Sequence, residues 1–591
     1  MSLLLTLLAA TPVPSGAPSA LPSALPSALP SAAPSASASP SPSTFGAGII
    51  TFSFLLSVLV WVPFIAAIVV SLLPAPRRRN QRYLLGFAFW INVGLLVLTV
   101  IAYSQFSVYG SGVQFEENLP WLPQLGIHYH LGVDGAGMGM LVLSGLVGVG
   151  GCLAAYNLRD RGREFFTLLL LTQWAVNGAI ASRDLLLLLL FWTLATVPLS
   201  LLVGGWSGQR RWRAAGRFAA YWLLGAGALL GGGLLLVAAS GGTSFELSQL
   251  QQATLPWQTQ LVVAILVLLA AATRLPLVPL HGWVRETLSE AHPAVAVVLA
   301  GAAARVGGSV LLELFVGPDH WAAKVLAPVV AVLAGLTVVW GALGAFGSRD
   351  LRRVTTYLAL IPGGVTALGV AGLSPLSLNG AAVMLFAGGL SAALMVGIGA
   401  TFADHAQGRN LALVAGLATR LPRLSWLLVA ATIAILAIPF MATFPATAMI
   451  VLGAMHNQPI ATLVVLAGLV IAAAAAAWLL HRVLFGAPSP ESPTVRDASL
   501  SEVWYLGLLI GALLWVGLLP SGPKLASISI FDPGFVNVVS QAASGLSSPY
   551  VPQAPPALST PTPKASPSPT PSPSAGPSAS PTPAGPSPSP S

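Results

Sequence analysis

Fourteen apolar stretches of about 20 residues, the length a helix needs to cross the hydrocarbon of a bilayer, run through this sequence. They begin near residues 46, 83, 134, 164, 184, 216, 258, 291, 324, 353, 377, 424, 460 and 502. Stretches rich in Leu, Ala and Gly can satisfy their backbone in lipid only as helices, which excludes a barrel. Only 7% of the side chains are charged, against roughly 25% in soluble domains. The chain therefore reads as all-α and polytopic, with about 14 transmembrane helices in a membrane domain over residues 45–521.

A net charge of +9 raises the question of nucleic acid, and the placement of the charges answers it. With the residue 75–82 loop on the cytoplasmic side, alternate loops carry twenty arginines on that side, from Arg77 to Arg496; the opposite side carries four basic residues, Arg183, Lys324, Lys524 and Lys564. Positive loops stay inside, so the excess is a topology signal with no nucleic-acid role. Both termini are expected on the non-cytoplasmic side of an integral membrane protein, in a bacterial plasma membrane or a thylakoid. The single cysteine, Cys152, excludes a disulfide or a Cys-ligated cluster within this chain.

Residues 1–44 and the end of the 522–591 segment are rich in Pro, Ser, Ala and Thr. Such segments bury too little apolar surface to fold and are expected to be extended tails. Met1–Ala10 is apolar but too short to span and lacks a basic leader; a signal peptide is one reading of it and part of an exported tail the other.

Two predicted spans are interrupted by proline, which removes a backbone donor and breaks the helical ladder. The seventh contains Pro276 and Pro279, and the twelfth Pro439 and Pro445. Lying five spans apart, they must cross in opposite directions. This pattern predicts two inverted five-helix repeats, about residues 164–316 and 324–486, with an ion path at the breaks. The remaining basic residues, Arg274 and Arg305, lie within apolar segments, where charge marks function by default. Snorkelling or pairing with carbonyls at a break is the structural alternative, and capping of the broken helix is the alternative for His281. Asp134 reads as an N-terminal helix charge, Glu313 as reaching the interface, and Glu286 and Glu290 as cytoplasmic-loop groups that dock a partner. Gly148–Gly151 and Gly225–Gly233 read as helix-packing surfaces rather than phosphate loops.

The residues Thr273–Trp283 (TRLPLVPLHGW) followed by Leu299–Gly308 (LAGAAARVGG) resemble the seventh and eighth helices of the antiporter-like membrane subunits of complex I, the NAD(P)H:quinone oxidoreductase. Gly132–Met138, Arg349–Arg353 with Tyr357, and Ile398–Thr401 agree with this, and Trp121–Gly126 looks like the cyanobacterial and plastid subunit M, or chain 4. The resemblance covers about residues 46–520. It implies other membrane-arm subunits as partners, with flavin, iron–sulfur clusters and quinone carried by partner subunits and no cofactor in this chain.

In that family, lysines, glutamates and histidines along the midplane move protons. Here the fifth-helix glutamate aligns with Thr193, the seventh- and eighth-helix lysines with Arg274 and Arg305, the tenth-helix histidine with Pro362, the eleventh-helix histidine at or beside Ala387, and the twelfth-helix glutamate with Thr447. Only His281 survives among the familiar polar positions. A buried lysine can load and unload a proton, whereas arginine stays charged, and threonine can join a water chain without gating it. The ion-path candidates are therefore Arg274, Arg305, His281, Thr193 and Thr447. Three readings stay open: a membrane-arm subunit with its own pumping impaired, a cation/proton antiporter, and a non-pumping scaffold of a specialised complex.

Overall fold

The computed structural model describes residues 54–519, except 75–81, 107–111, 159, 209, 243, 318–319, 412–413 and 486–495, together with 524–525 and 528–529. Both Pro/Ser-rich tails and Met1–Ala10 lie outside the described residues. Among the described residues thirteen helices are long and apolar enough to cross a membrane: α1 (Leu55–Leu72), α2 (Arg82–Gln105), α3 (Gly135–Ala154), α4 (Gly162–Ala181), α5 (Leu185–Trp206), α6 (Arg211–Ala239), α7a (Trp257–Arg274), α8 (Pro293–Phe315), α9 (Trp321–Phe346), α10 (Leu351–Ala371), α11 (Pro375–His405), α13 (Pro459–Phe485) and α14 (Leu500–Leu518). The twelfth span is split into α12a (Pro422–Ile435) and α12b (Thr443–Ala454), each too short to cross alone. The seventh continues beyond its break as α7b (Val284–Glu290).

Successive helices pack in two parallel series, α4 on α5, α5 on α6 and α6 on α7a, then α9 on α10, α10 on α11 and α11 on both halves of α12. Small residues set the spacing. A Cβ added at Gly225 would collide with the Thr273 hydroxyl of α7a, and one added at Gly232 would lie 3.1 Å from Leu266, so the glycine-rich run of α6 is a packing surface. The centre of the bundle is α8 and α11, whose apolar cores are entirely buried, while α2 and α14 lie at its rim.

Between α2 and α3 an antiparallel hairpin, β1 (Gln114–Leu122) and β2 (Ile127–Val133), turns at Gly126 in the left-handed region, φ 66°. Its Glu117 carboxylate accepts the Leu56 amide at 2.7 Å and the Ser57 hydroxyl at 2.5 Å, neutralising the exposed donors at the start of α1. The hairpin, the α4–α5 connection and the end of α8 share one end of the bundle, where Leu131 bridges Ser182 and Gln251 donates to the Glu313 carbonyl. The opposite end carries the arginine-rich loops, tied by Arg409–Glu290 at 3.1 Å and Arg352–Asp404 at 2.5 Å.

Candidate ion path at the broken helices

The break in the seventh span originates in its prolines. Pro276 cannot donate to the Ala272 carbonyl, which instead accepts Leu277 N–H at 3.1 Å. The Thr273 carbonyl is left to Trp283 Nε1 at 2.8 Å. The Val278 amide leaves the helix altogether and donates to the Thr337 hydroxyl of α9 at 2.9 Å. Buried backbone groups need partners, and here side chains from beyond the break supply them. The second break behaves alike: the Thr443 hydroxyl donates to the Ala434 carbonyl at 2.7 Å, and the Ala442 amide donates to the Leu513 carbonyl of α14 at 2.9 Å. Ala437 and Phe440 take positive φ of 52° and 82°, a conformation that costs non-glycine residues free energy. Each broken span is thus braced by the span two further along the chain.

Arg274 ends α7a at the break with no exposed surface. Its guanidinium carbon lies 4.0 Å from the ring centroid of Trp192 on α5 and 4.0 Å from that of Trp222 on α6, and Nη2 donates to the Trp192 carbonyl. Nε and Nη1 have no hydrogen-bond partner among the described residues, and no carboxylate pairs with the group. The ring faces supply negative potential to a cation that has no exposed surface and no acid beside it among the described residues. Arg305 is likewise buried on α8 between two π-helical turns, Leu299–Ala303 and Leu311–Phe315. Its Nη1 lies 3.5 Å from where a Cβ on Gly363 of α10 would stand, beside Pro362. Gly307 brings α8 against the break, since a Cβ there would stand 2.7 Å from the Leu275 amide and 2.8 Å from Arg274 Cβ.

The other candidates are not brought into one polar line. Thr193 donates to its own helix, to the Leu189 carbonyl at 2.8 Å. Thr447 is buried on α12b, with Pro445 in the first turn of that half-helix and Pro439 in the break before it. His281 sits half-buried in the first break with Pro276 and Pro279, its ring centroid 5.6 Å from that of Trp340. The central hydroxyls of Thr273, Ser309, Thr366, Ser391 and Thr432 each donate to a carbonyl of their own helix. Among the described residues no cluster of three or more His, Cys, Asp or Glu could hold a metal.

Two polar groupings escape a reading by motif. Arg183, between α4 and α5, is buried with Asp134 at 3.4 Å and Glu313 at 3.6 Å, and its Nε donates to the Gly132 carbonyl at 3.0 Å. Burial works against its charge, yet Glu313 and Asp134 hold its pKa above the ordinary arginine value. Asp134 does cap α3, accepting Gly137 N–H at 2.7 Å, whereas Glu313 turns toward Arg183 instead of simply reaching the interface. Within α3 and α4, Ser144, Gln173 and Asn177 form a closed set of hydrogen bonds of 2.6–3.4 Å, tied to α1 through the Leu59 carbonyl. The helical period of the sequence places these amides near one another, and nothing in it says that they bond.

Residues 182–472, which hold both breaks, match the family described as NADH:quinone oxidoreductase/Mrp antiporter, TM. A relative from Synechococcus sp. (strain JA-3-3Ab), NAD(P)H-quinone oxidoreductase chain 4 1, is 32% identical over 511 residues, covering 84% of this chain and 95% of that protein. The chain belongs to this family of antiporter-like membrane subunits. The Synechocystis NAD(P)H-quinone oxidoreductase chain 4-1 is 28% identical and covers 83% of this chain and 95% of its own. Of solved structures, respiratory complex I from Thermus thermophilus aligns with a TM-score of 0.73 at 24% identity, over 83% of this chain and 100% of that one. The Mrp complex from Dietzia sp. aligns with a TM-score of 0.72 at 20% identity, over 85% and 98%. At these identities the two structures speak to fold alone.

Proposed function

We propose that this chain is an antiporter-like membrane-arm subunit of an NAD(P)H:quinone oxidoreductase, and that it joins and seals the arm without passing protons through titration of its own central side chains. Family membership supports the first half. The second rests on Arg274: a guanidinium held between two indole rings, with no acid beside it, is a fixed charge that cannot alternate between loaded and unloaded states near neutral pH. Arg305 repeats the substitution, and Thr193 and Thr447 hold no charge with which to gate a water chain. Electron transfer belongs to partner subunits that carry flavin, iron–sulfur clusters and quinone; this chain supplies none of those sites. Its arginine-rich end faces the cytoplasm of a plasma or thylakoid membrane, with both termini opposite.

Co-purification of the tagged chain with other membrane-arm subunits, and no dehydrogenase activity from the chain alone, tests the assignment. Proton-to-electron stoichiometry of the assembled complex tests the rest: Arg305→Gln leaves it unchanged, and a fall by one subunit's share would show that protons do pass here. A second reading, a cation/proton antiporter, draws on the Mrp half of the family description; sodium efflux from vesicles holding only this chain would select it.

A further inference from the structure

At the arginine-rich end, where α7b, the α9–α10 connection and the α11–α12 connection meet, lies a cavity of about 570 Å³. Its lining includes Arg285, Arg349, Arg353 and Arg409 and a single acidic residue, Asp350. A neighbouring cavity of about 370 Å³ shares three of these arginines and adds Arg210 together with Glu286 and Glu290. Asp350 is already engaged: its Oδ1 caps α10 by accepting Arg352 N–H at 2.9 Å and Arg353 N–H at 3.3 Å, and its Oδ2 lies 3.8 Å from Arg353 Nε. Glu290 takes Arg409 at 3.1 Å, and Glu286 is drawn off to Arg217 at 2.8 Å. Arg285 and Arg349 are left without an acidic partner among the described residues, facing a concave space with the Tyr357 and Asn410 side chains in its wall. Planar guanidinium forks converging on a pocket match the oxygens of a phosphate.

The apolar side of the cavity indicates what such a phosphate is attached to. Gly344, Gly347 and Ser348, at the C-terminal end of α9, form part of its lining. From there an outward stripe of Leu343, Trp340, Leu336, Val332 and Val329 runs back along α9, each 46–57% exposed. These positions step by three and four residues, so they form one continuous face of the helix. A side chain at Gly344 would be driven into the Tyr357 ring, at 2.6 Å, so glycine lets that ring pack directly against α9 in the cavity wall. A cationic cavity at the level of the headgroups, continuous with an apolar stripe into the hydrocarbon, has the two-part form of a phospholipid.

We propose that this cavity binds the phosphate of an anionic phospholipid, with its acyl chains laid along the exposed face of α9. The inner leaflet is where anionic lipids and basic protein loops meet, so the site lies where its ligand is abundant. The assignment rests on the proposed cytoplasmic orientation of the arginine-rich end and is independent of whether protons pass through the chain.

The test is thermal unfolding of the purified full chain in neutral detergent, titrated with phosphatidylglycerol, with phosphatidylcholine or with inorganic phosphate. Phosphatidylglycerol raises the midpoint saturably, and phosphatidylcholine and inorganic phosphate at equal concentration do not. The Arg285→Gln/Arg349→Gln variant needs about 30-fold more phosphatidylglycerol for the same shift, from the loss of two interfacial charge contacts. Arg211→Gln/Arg213→Gln removes the same charge near the same end but outside the cavity and titrates like the parent. A shift from inorganic phosphate alone, abolished in the first variant, would assign the pocket to a free anion and overturn the lipid. Equal effects of the two lipids, or equal losses in both variants, would reduce the effect to bulk charge and overturn the site; no phosphatidylglycerol effect at all, as expected if an acidic segment of a neighbouring subunit is the true occupant, would do the same.

Discussion

The Thr337 hydroxyl of α9 accepts the Val278 amide at 2.9 Å while donating to the Leu333 carbonyl at 2.6 Å. One hydroxyl thus answers for a donor that the proline-broken seventh span has no carbonyl to satisfy. Thr337→Val keeps the shape and removes the acceptor, leaving a buried N–H unpaired, a loss of about 1–3 kcal/mol. The expected outcome is a lower unfolding midpoint for Thr337→Val in detergent, with Thr337→Ser close to the parent. Equal behaviour of the two variants would show that the brace contributes nothing.

The cage around Arg274 predicts strong coupling between the charge and its rings. Cation–π contacts are worth about 2 kcal/mol or more when desolvated. In a double-mutant cycle of Arg274→Met with Trp222→Leu, the ring substitution should cost about 2 kcal/mol less once the charge is gone. Additive losses would mean that Trp222 only fills space.

Much of this arrangement is legible in the sequence, and the parts that are not share a common cause. Span count comes from apolar length, a one-dimensional property, and the split twelfth span escapes a length criterion only because Pro439 and its neighbours divide it into halves. Pro276, Pro279, Pro439 and Pro445 mark the breaks because proline acts on its own backbone. Asp134 is legible as a helix cap for the same reason. By contrast, Arg274 as a bare substitution looks like an unpartnered charge; that Trp192 and Trp222 on two other helices close over it depends on packing. Glu313 and Arg183 meet only because the end of α8 and the α4–α5 connection converge. The β1–β2 hairpin does carry a signal, the stretch Ile127–Val133 preceded by Pro123–Gly126, but it is short beside fourteen long apolar runs.

Arg183 tests that convergence. Removing the cation from between two half-buried carboxylates leaves uncompensated charge, at a cost below the roughly 3–5 kcal/mol of a fully buried pair. Arg183→Met should therefore destabilise the chain, and adding Glu313→Gln to it should recover part of the loss, because one of the orphaned carboxylates is then neutral. No recovery in the double variant would place the effect of Arg183 in its bond to the Gly132 carbonyl instead.

His292, at the entrance to α8, predicts a pH dependence. Its Nδ1 accepts the Ala294 amide at 3.3 Å, a capping role that requires the neutral ring. Burial, with the charge of Arg352 added, lowers its pKa to about 4. Since the folded chain resists protonation that the unfolded chain accepts near its ordinary pKa of about 6.5, the contribution is fully present above that value. It falls as pH drops from about 6.5 towards 4 and is level below, a change on the order of 3 kcal/mol. Asparagine keeps an acceptor for the cap and does not titrate in this range. Unfolding midpoints of the purified chain between pH 7 and 4 should accordingly decline more steeply for the parent than for His292→Asn. Parallel declines would show that the cap at His292 does not set the acid sensitivity.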